Sequence, residues 1–369
     1  MRYSLICLSI LTFIASAAPP YGGSASGAPA AASVAVKRGH VAQAEPKAEP
    51  AAQAVFTAFR DYPVVALGMS HRLQDELDFA MSIVRDPEFP KVVNAIVLEC
   101  GNSLYQNDMD RYVSGEDVPL QRLQRFWRNT TQLAACEPTH PKALADLIRG
   151  INAHQPANRQ IRILAGDPPI NWDQVHSAAD IRPFQDRDGH FASVVEHEVL
   201  AKHLRALLIV GSGHVLKRPV TWAPPTPPGS PTVTILVEQA YPHSVFVIQP
   251  HDGFGDETAT LEPRLAQWSV PSLAIVRDTW LGRLDAAVLF RGKLRRVGSD
   301  PNKPEDPFPG IAVQDLVDAY LYLGPAASLR ETDFALKTDP AYAAEIHRRI
   351  GLMSGYAGPV PLAAPLPRG

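Results

Sequence analysis

The sequence is short of cysteine, with three in 369 residues. Cys7 lies inside an apolar run at the start of the chain and is badly placed for lipid attachment, which leaves Cys100 and Cys136. Two cysteines do not make a disulfide framework, and the pair is open between one bridge and two buried thiols. Charge imbalance is missing as well. A formal net charge of -3, with 20% charged residues, gives no reason to expect a nucleic-acid partner. Beyond the N-terminal run, no apolar stretch is long enough to cross a membrane. There is no P-loop, no Gly-x-Ser-x-Gly nucleophile elbow and no Cys-x-x-Cys pair. "EHEVLAKH" at 196–203 lacks the His-Glu-x-x-His zinc spacing, so His197 and His203 are read on a solvated helix face. "GSGHVL" lacks the third glycine of a dinucleotide fingerprint.

What is present is a globular composition, 46% hydrophobic, behind an atypical N-terminus. Arg2, the run "LICLSILTFIA" and the small residues Ala15–Ala17 read as a secretory signal peptide over 1–18. Residues 19–55 are Ala/Gly/Ser/Pro-rich without periodicity and are expected to be a disordered tether. A single domain is expected over 56–355, with a Pro-rich tail over 356–369. The protein is therefore expected to be exported, to the periplasm or outside the cell, with no transmembrane span once mature.

Apolar runs bounded by Gly, Pro and Asp recur at 63–68, 94–101, 161–167, 206–213, 232–238, 244–250, 285–290 and 317–324. Runs apolar on both faces predict strands of a sheet covered on both sides. Amphipathic segments at Leu73–Val84, Leu120–Leu133, Pro141–Ala153 and Phe191–Leu207 predict helices between them. The alternation predicts an α/β fold with a largely parallel central sheet and helices on both faces. "APPTPPGSP" at 223–231 and "RVGSDPNKPEDPFPG" at 296–310 are irregular stretches, not firm domain boundaries.

In such sheets, ligands bind beyond the carboxyl ends of the strands. Four runs end there in polar groups: "VVALGMSHR" in His71, "NAIVLE" in Glu99, "AGD" in Asp167 and "ALLIVGSGH" in His214. A single histidine after a strand is ordinarily just solvated, but two Gly-x-x-His loops after two buried strands are a pattern. Glu99 ends a run too apolar to bury a carboxylate without a partner or water. "GDPP" is also an ordinary turn, which weakens Asp167. Arg187 precedes the fourth helix, where a surface arginine is the plain alternative. Trp127 is read as a core aromatic. Two imidazoles with carboxylates suit general acid/base work, or a divalent metal with an open position for water; spacing leaves both open.

Several of these stretches resemble one superfamily. It joins erythromycin esterase-like proteins, ChaN-like haem-uptake lipoproteins and Tiki/TraB proteins. The resemblance covers roughly residues 60–220 and the "DAYLYLG" run. The paired loops Gly68–His71 and Gly211–His214, with Glu99 between, are similar to the Tiki/TraB pattern. "AIVLECGNSLYQNDMDRYVSGE" is similar to the esterase stretch after its first histidine, and "RDGHFASVV" to the family's Arg-Asp-x-x-Met-Ala helix start. "LLIVGSGHV" resembles the strand and histidine of ChaN-like and esterase members.

The resemblance implies His71 as general base or metal ligand and Glu99 as its partner. It implies His214 as second imidazole, Arg187 as anion or carbonyl holder, and Asp167 beside them. Met69 stands where many members have Glu, though Tiki/TraB members manage without it. The expectation is an exported hydrolase-like protein acting on an ester or amide, with His71 activating water and Arg187 and His214 stabilising the oxyanion. The alternative is a ChaN-like protein that binds haem or another small ligand without turnover. The expected partner is a small molecule; a divalent metal or haem is the cofactor that either reading could use.

Overall fold

The computed structural model of the chain describes residues 44–70, 73–133, 136, 139–220, 230–253, 256–290, 308, 310–332 and 339–357. The expected signal peptide, most of the tether, His71, both irregular stretches for the most part and nearly all of the Pro-rich tail lie outside the described residues.

Eight strands form one sheet: β1 (Glu49–Pro50), β2 (Val64–Met69), β3 (Ala95–Asn102), β4 (Arg162–Asp167), β5 (Ala206–Gly211), β6 (Val245–Pro250), β7 (Ser272–Ile275) and β8 (Ala319–Tyr322). Their order is β1-β7-β8-β6-β2-β5-β3-β4. The sheet is mixed, not the largely parallel one expected. β8, β6, β2, β5, β3 and β4 pair in parallel, but β7 is antiparallel to β8, and β1 to β7. β7 and β1 have four and two residues, too short to stand out as apolar runs. Antiparallel strands at the edge of an otherwise parallel sheet are common in this architecture.

The double-sided burial read from the runs is met with period two. Val65, Leu67, Ile96, Leu98, Ile163, Ile209 and Ile248 face one core. Val64, Ala66, Val97, Leu164, Leu208 and Val247 face the other. Each of these Val, Leu and Ile side chains contributes about 1.5–3 kcal/mol on burial. At the free edge of β4 the carboxamide of Gln106 stands in for a strand: it accepts from Ala165 N–H at 2.7 Å and donates to Ile163 O at 2.8 Å.

Two expected strands are helices. "TVTILVE" lies in Val233–Ala240, where the Thr232 hydroxyl accepts from Ile235 N–H at 3.3 Å as an N-cap. "DAAVLF" lies in Ala287–Phe290, with Asp285 accepting from Ala287 N–H at 2.8 Å. In both, a capping oxygen overrides the strand preference of an apolar run whose periodicity is ambiguous.

Other boundaries move. The expected tether reaches into β1 and the helix Ala51–Asp61, whose Ala51 and Val55 are buried. The C-terminal helix Pro340–Ala357 runs to the expected start of the tail. The helix expected over Phe191–Leu207 begins at Arg187, passes through a π turn at Val195–Val199, and ends at His203 with φ of 54°. The helix expected over Leu120–Leu133 ends at Arg128, because Asn129, Thr130 and Thr131 turn away to bond elsewhere. Trp127 is buried, as read. Among the described residues, no helix is long and apolar enough to cross a membrane.

Candidate active site

The parallel strands end on one rim, where four of the five candidate residues, Glu99, Asp167, Arg187 and His214, meet. Glu99 lies within β3, where the pairing with β4 shifts register between Leu98 and Asn102. Asp167 ends β4. His214 lies in the turn of helix Ser212–Val215 that follows β5, and Arg187 opens the helix Arg187–Val194. Gly166 lets that helix approach: a Cβ there would stand 2.8 Å from the Phe191 ring. With Phe191 packed against β4, Arg187, one turn earlier, reaches over the ends of β3 and β4. Its guanidinium lies 5.2 Å from the Phe191 ring centroid.

Arg187 is the hub. Its Nη2 donates to Glu99 Oε1 at 2.7 Å, its Nε to Asp167 Oδ1 at 3.0 Å, and its Nη1 faces His214 Nε2 at 3.2 Å. Glu99 Oε2 accepts from Gly211 N–H at 2.6 Å, and Oε1 accepts from Gln132 Nε2 at 3.1 Å. Asp167 accepts from both the backbone N–H and the hydroxyl of Thr131, at 2.5 and 2.6 Å. The side chains of Glu99 and Asp167 are 2% and 0% exposed, and that of Arg187 14%, so this is a buried charge network rather than a surface pair. The partner that the burial of Glu99 demanded is Arg187.

Burial pushes the Asp167 carboxyl up from its usual range, against the pull of Arg187 and Thr131. Burial alone would lower Arg187, but Glu99 and Asp167 outweigh it and hold the guanidinium above its ordinary value. The cation is thus locked in place by two carboxylates.

The sequence reading missed Asp188. Its carboxylate lies 3.0 Å from His214 Nδ1 by either oxygen, and Oδ1 also accepts from Val233 N–H at 3.0 Å. A carboxylate only accepts here, so His214 carries its hydrogen on Nδ1. Nε2 then presents its lone pair to Arg187, and lies 3.7 Å from Glu99 Oε1. In this tautomer Nε2 carries a lone pair and no hydrogen. The signal for Asp188 was its place beside Arg187 in "RDGH". Thr131 and Gln132 were missed because they lie in a stretch expected to be helical.

Two further imidazoles stand near strand ends. His190, in the same helix as Arg187, contacts the Ser103 hydroxyl at 3.1 Å. Burial lowers its pKa, against Asp167 and Asp186. His251 follows β6, with Nδ1 2.7 Å from the Tyr320 hydroxyl and Nε2 3.1 Å from Glu262. It ties β6 to β8 from a fully buried position, and the signal was the one used for Glu99: a polar group ending an apolar run.

Of the expected metal ligands His71, Glu99 and His214, the described residues include Glu99 and His214. Among the described residues, no group of three or more His, Cys, Asp or Glu side chains is placed to hold a metal ion. Arg187 occupies the space between Glu99 and His214 where a cation would lie. Both ring nitrogens of His214 are engaged, by Asp188 and Arg187, so holding haem through this ring would displace one of those partners.

Cys100 and Cys136 form a disulfide, which resolves the alternatives left by the sequence. Residue 69, where a carboxylate is frequent in the resembling family, is a buried methionine at the end of β2.

No protein-family model matches the sequence, and no curated protein matches it. Solved structures do match in fold. A Bacillus cereus protein superposes with a TM-score of 0.51 at 12% identity, over 78% of this chain and 96% of that one. The erythromycin esterase EreC, as a mutant in its open conformation, superposes with a TM-score of 0.50 at 13% identity, over 77% of this chain and 94% of that one. ChaN of Campylobacter jejuni, a haem-binding protein, reaches a TM-score of 0.34 at 13% identity over 55% of this chain and 86% of that one, too loose a match to bear on the site. The resemblance read from the motifs holds at the level of fold: this chain has the erythromycin esterase-like fold.

Proposed function

We propose that this chain is an exported hydrolase-like protein that acts on an ester or amide at the rim of β3, β4 and β5. The observation that carries the reading is His214, hydrogen-bonded through Nδ1 to Asp188, with Nε2 directed at a guanidinium held by two buried carboxylates. An imidazole with an acid behind it and a cation in front is an arrangement for moving a proton next to developing negative charge.

In the proposed reaction, His71, which the sequence puts two residues beyond β2, takes a proton as water attacks the carbonyl carbon. The carbonyl oxygen gains the negative charge and faces Arg187, three of whose five N–H groups are committed to Asp167, His214 and Glu99. The proton that His71 took passes through solvent to Nε2 of neutral His214, whose imidazolium form Asp188 stabilises, and from there to the alcohol or amine as its bond to the carbonyl carbon breaks. Export is part of the proposal, supported by the N-terminal run and by a disulfide of the kind that persists in oxidising compartments.

One observation favours a second reading. Met69 packs into the core and offers no carboxylate, which suits a protein that binds a small carbonyl or carboxylate ligand at Arg187 without turnover. A panel of ester and amide substrates, run with the wild type and His71→Ala, separates the two. Turnover lost in the variant supports the hydrolase. Turnover intact in the variant sinks the mechanism. No turnover by the wild type, with saturable binding of haem or a carboxylate ligand, moves the assignment to the second reading.

A further inference from the structure

We propose that the segment from Asn129 to Gln132 is a strap that positions both buried carboxylates, and that the Cys100–Cys136 disulfide is what keeps it closed, so that the site assembles only in the oxidised protein. The inference rests on the reading of Glu99, Asp167, Arg187 and His214 as one site.

The strap leaves the helix Leu120–Arg128 and is gripped first at its base. Asn102 Nδ2 donates to Asn129 O at 2.6 Å, and Trp172 Nε1 donates to Thr130 O at 3.0 Å. From the C-terminal helix, Arg349 donates to Arg128 O at 2.6 Å and to Asn129 Oδ1 at 2.8 Å. In the middle, Thr131 gives two hydrogen bonds to Asp167, and Gln132 gives one to Glu99. Beyond them, Cys136 is bonded to Cys100, the residue next to Glu99. The Thr130 hydroxyl also lies 3.7 Å from Cys136 Sγ, which folds the far end back on the base.

This stretch has no helix or strand to hold it, and Thr131 and Gln132 are only half-buried. Ordering a glutamine side chain and several loop residues costs conformational entropy. The disulfide lowers that cost by tying the far end of the strap to the strand that carries Glu99. Gln132 and Thr131 are thus positioning residues: they touch no reacting atom, but they donate to the same Glu99 Oε1 and Asp167 Oδ1 that Arg187 holds, and so keep both carboxylates turned toward it. Reduction by a dithiol would break the S–S bond, deliver two electrons and two protons to Cys100 and Cys136, and release the reductant as a cyclic disulfide. The strap would then keep its base contacts and lose its far anchor.

The test compares amide exchange, residue by residue, in the oxidised full chain, the dithiol-reduced chain and Cys100→Ala/Cys136→Ala. The expected result is exchange at Thr131 N–H about tenfold faster or more in the last two, with β2 amides unchanged. The cysteine double variant should also lose all further response to the dithiol. Exchange at Thr131 within about twofold across the three forms overturns the proposal. Turnover is read in parallel with Gln132→Ala in the oxidised state. A fall in kcat of about tenfold with KM nearly unchanged is expected of a residue that positions Glu99, whereas unchanged kinetics overturn its positioning role. If no form turns over any substrate, the hydrolase reading has failed, and the exchange data alone decide whether the strap is held by the disulfide.

Discussion

Asp188 and His214 form a hydrogen bond in which either carboxylate oxygen lies 3.0 Å from Nδ1. The pair fixes the tautomer of the ring and so decides that Nε2, not Nδ1, meets Arg187. Asp188→Asn keeps the size of the side chain and leaves an oxygen for Val233 N–H. Its amide nitrogen then faces Nδ1, and the ring must move its hydrogen to Nε2, against the guanidinium. Turnover of the wild type's best ester is expected to fall by about 10²–10⁴-fold, as for loss of an oriented acid/base group. An Asp188→Asn enzyme within about twofold of wild type would remove His214 from proton handling.

Arg187 bridges two carboxylates that are almost wholly buried. Arg187→Met fills much of the space but leaves Glu99 and Asp167 uncompensated, and is expected to cost about 3–5 kcal/mol of stability by urea unfolding at pH 7. Arg187→Lys should recover only part of this, since a point charge cannot bridge both acids as the planar fork does. A loss below about 1 kcal/mol in the methionine variant would show that Arg187 does not stabilise the two buried acids.

Acid should loosen the C-terminal helix. Arg348, and after it Arg349, hold Glu345 down to about 2 from its ordinary 4.5, against partial burial. A carboxyl with a depressed folded pKa contributes stability that is fully present above 4.5 and is lost as pH falls toward 2. Arg349 also grips Arg128 and Asn129, so the loss reaches the base of the strap. The stability gap between wild type and Glu345→Gln is expected to close as pH falls from 5 to about 2.5, measured by urea unfolding. A gap that stays constant over that range would show that Glu345 does not stabilise the helix through its charge.

Two glycines should respond in opposite directions to alanine. At Gly101 a Cβ would lie 2.5 Å from the Phe126 ring and 2.9 Å from the Ala165 backbone, and overpacking there is expected to cost about 1–3 kcal/mol. At Gly150, inside the helix Thr139–Asn152, a Cβ meets nothing within 4 Å, and alanine is expected to stabilise by about 0.5–1 kcal/mol. Thermal unfolding of the two variants reads both signs.

The strands that position the site were legible because β2, β3, β4, β5 and β6 are apolar on both faces, and only a buried strand needs that. Glu99 was legible for the same reason, as a carboxylate that could not be buried alone. Asp188 was not: a second acid beside an arginine looks like a solvated helix start, and only the turn after β5 brings His214 to it. The helix Val233–Ala240 was misread as a strand because a β-branched run gives no period long enough to separate the two, and the deciding group was the Thr232 cap. Thr131 and Gln132 were hidden by an amphipathic pattern that continues past Arg128, where the chain itself leaves the helix to satisfy Asp167 and Glu99.

In the proposed reaction His214 moves a proton beside Glu99, Asp167 and Arg187. The most direct measurement is single-turnover hydrolysis of an ester panel by the oxidised wild type and by His214→Asn, with the near-ultraviolet circular dichroism of the two compared first. With matching spectra, hydrolysis by the wild type and a loss of about 10²-fold or more in the variant are expected. Equal rates in the two proteins, or no hydrolysis by the wild type, would contradict that reaction.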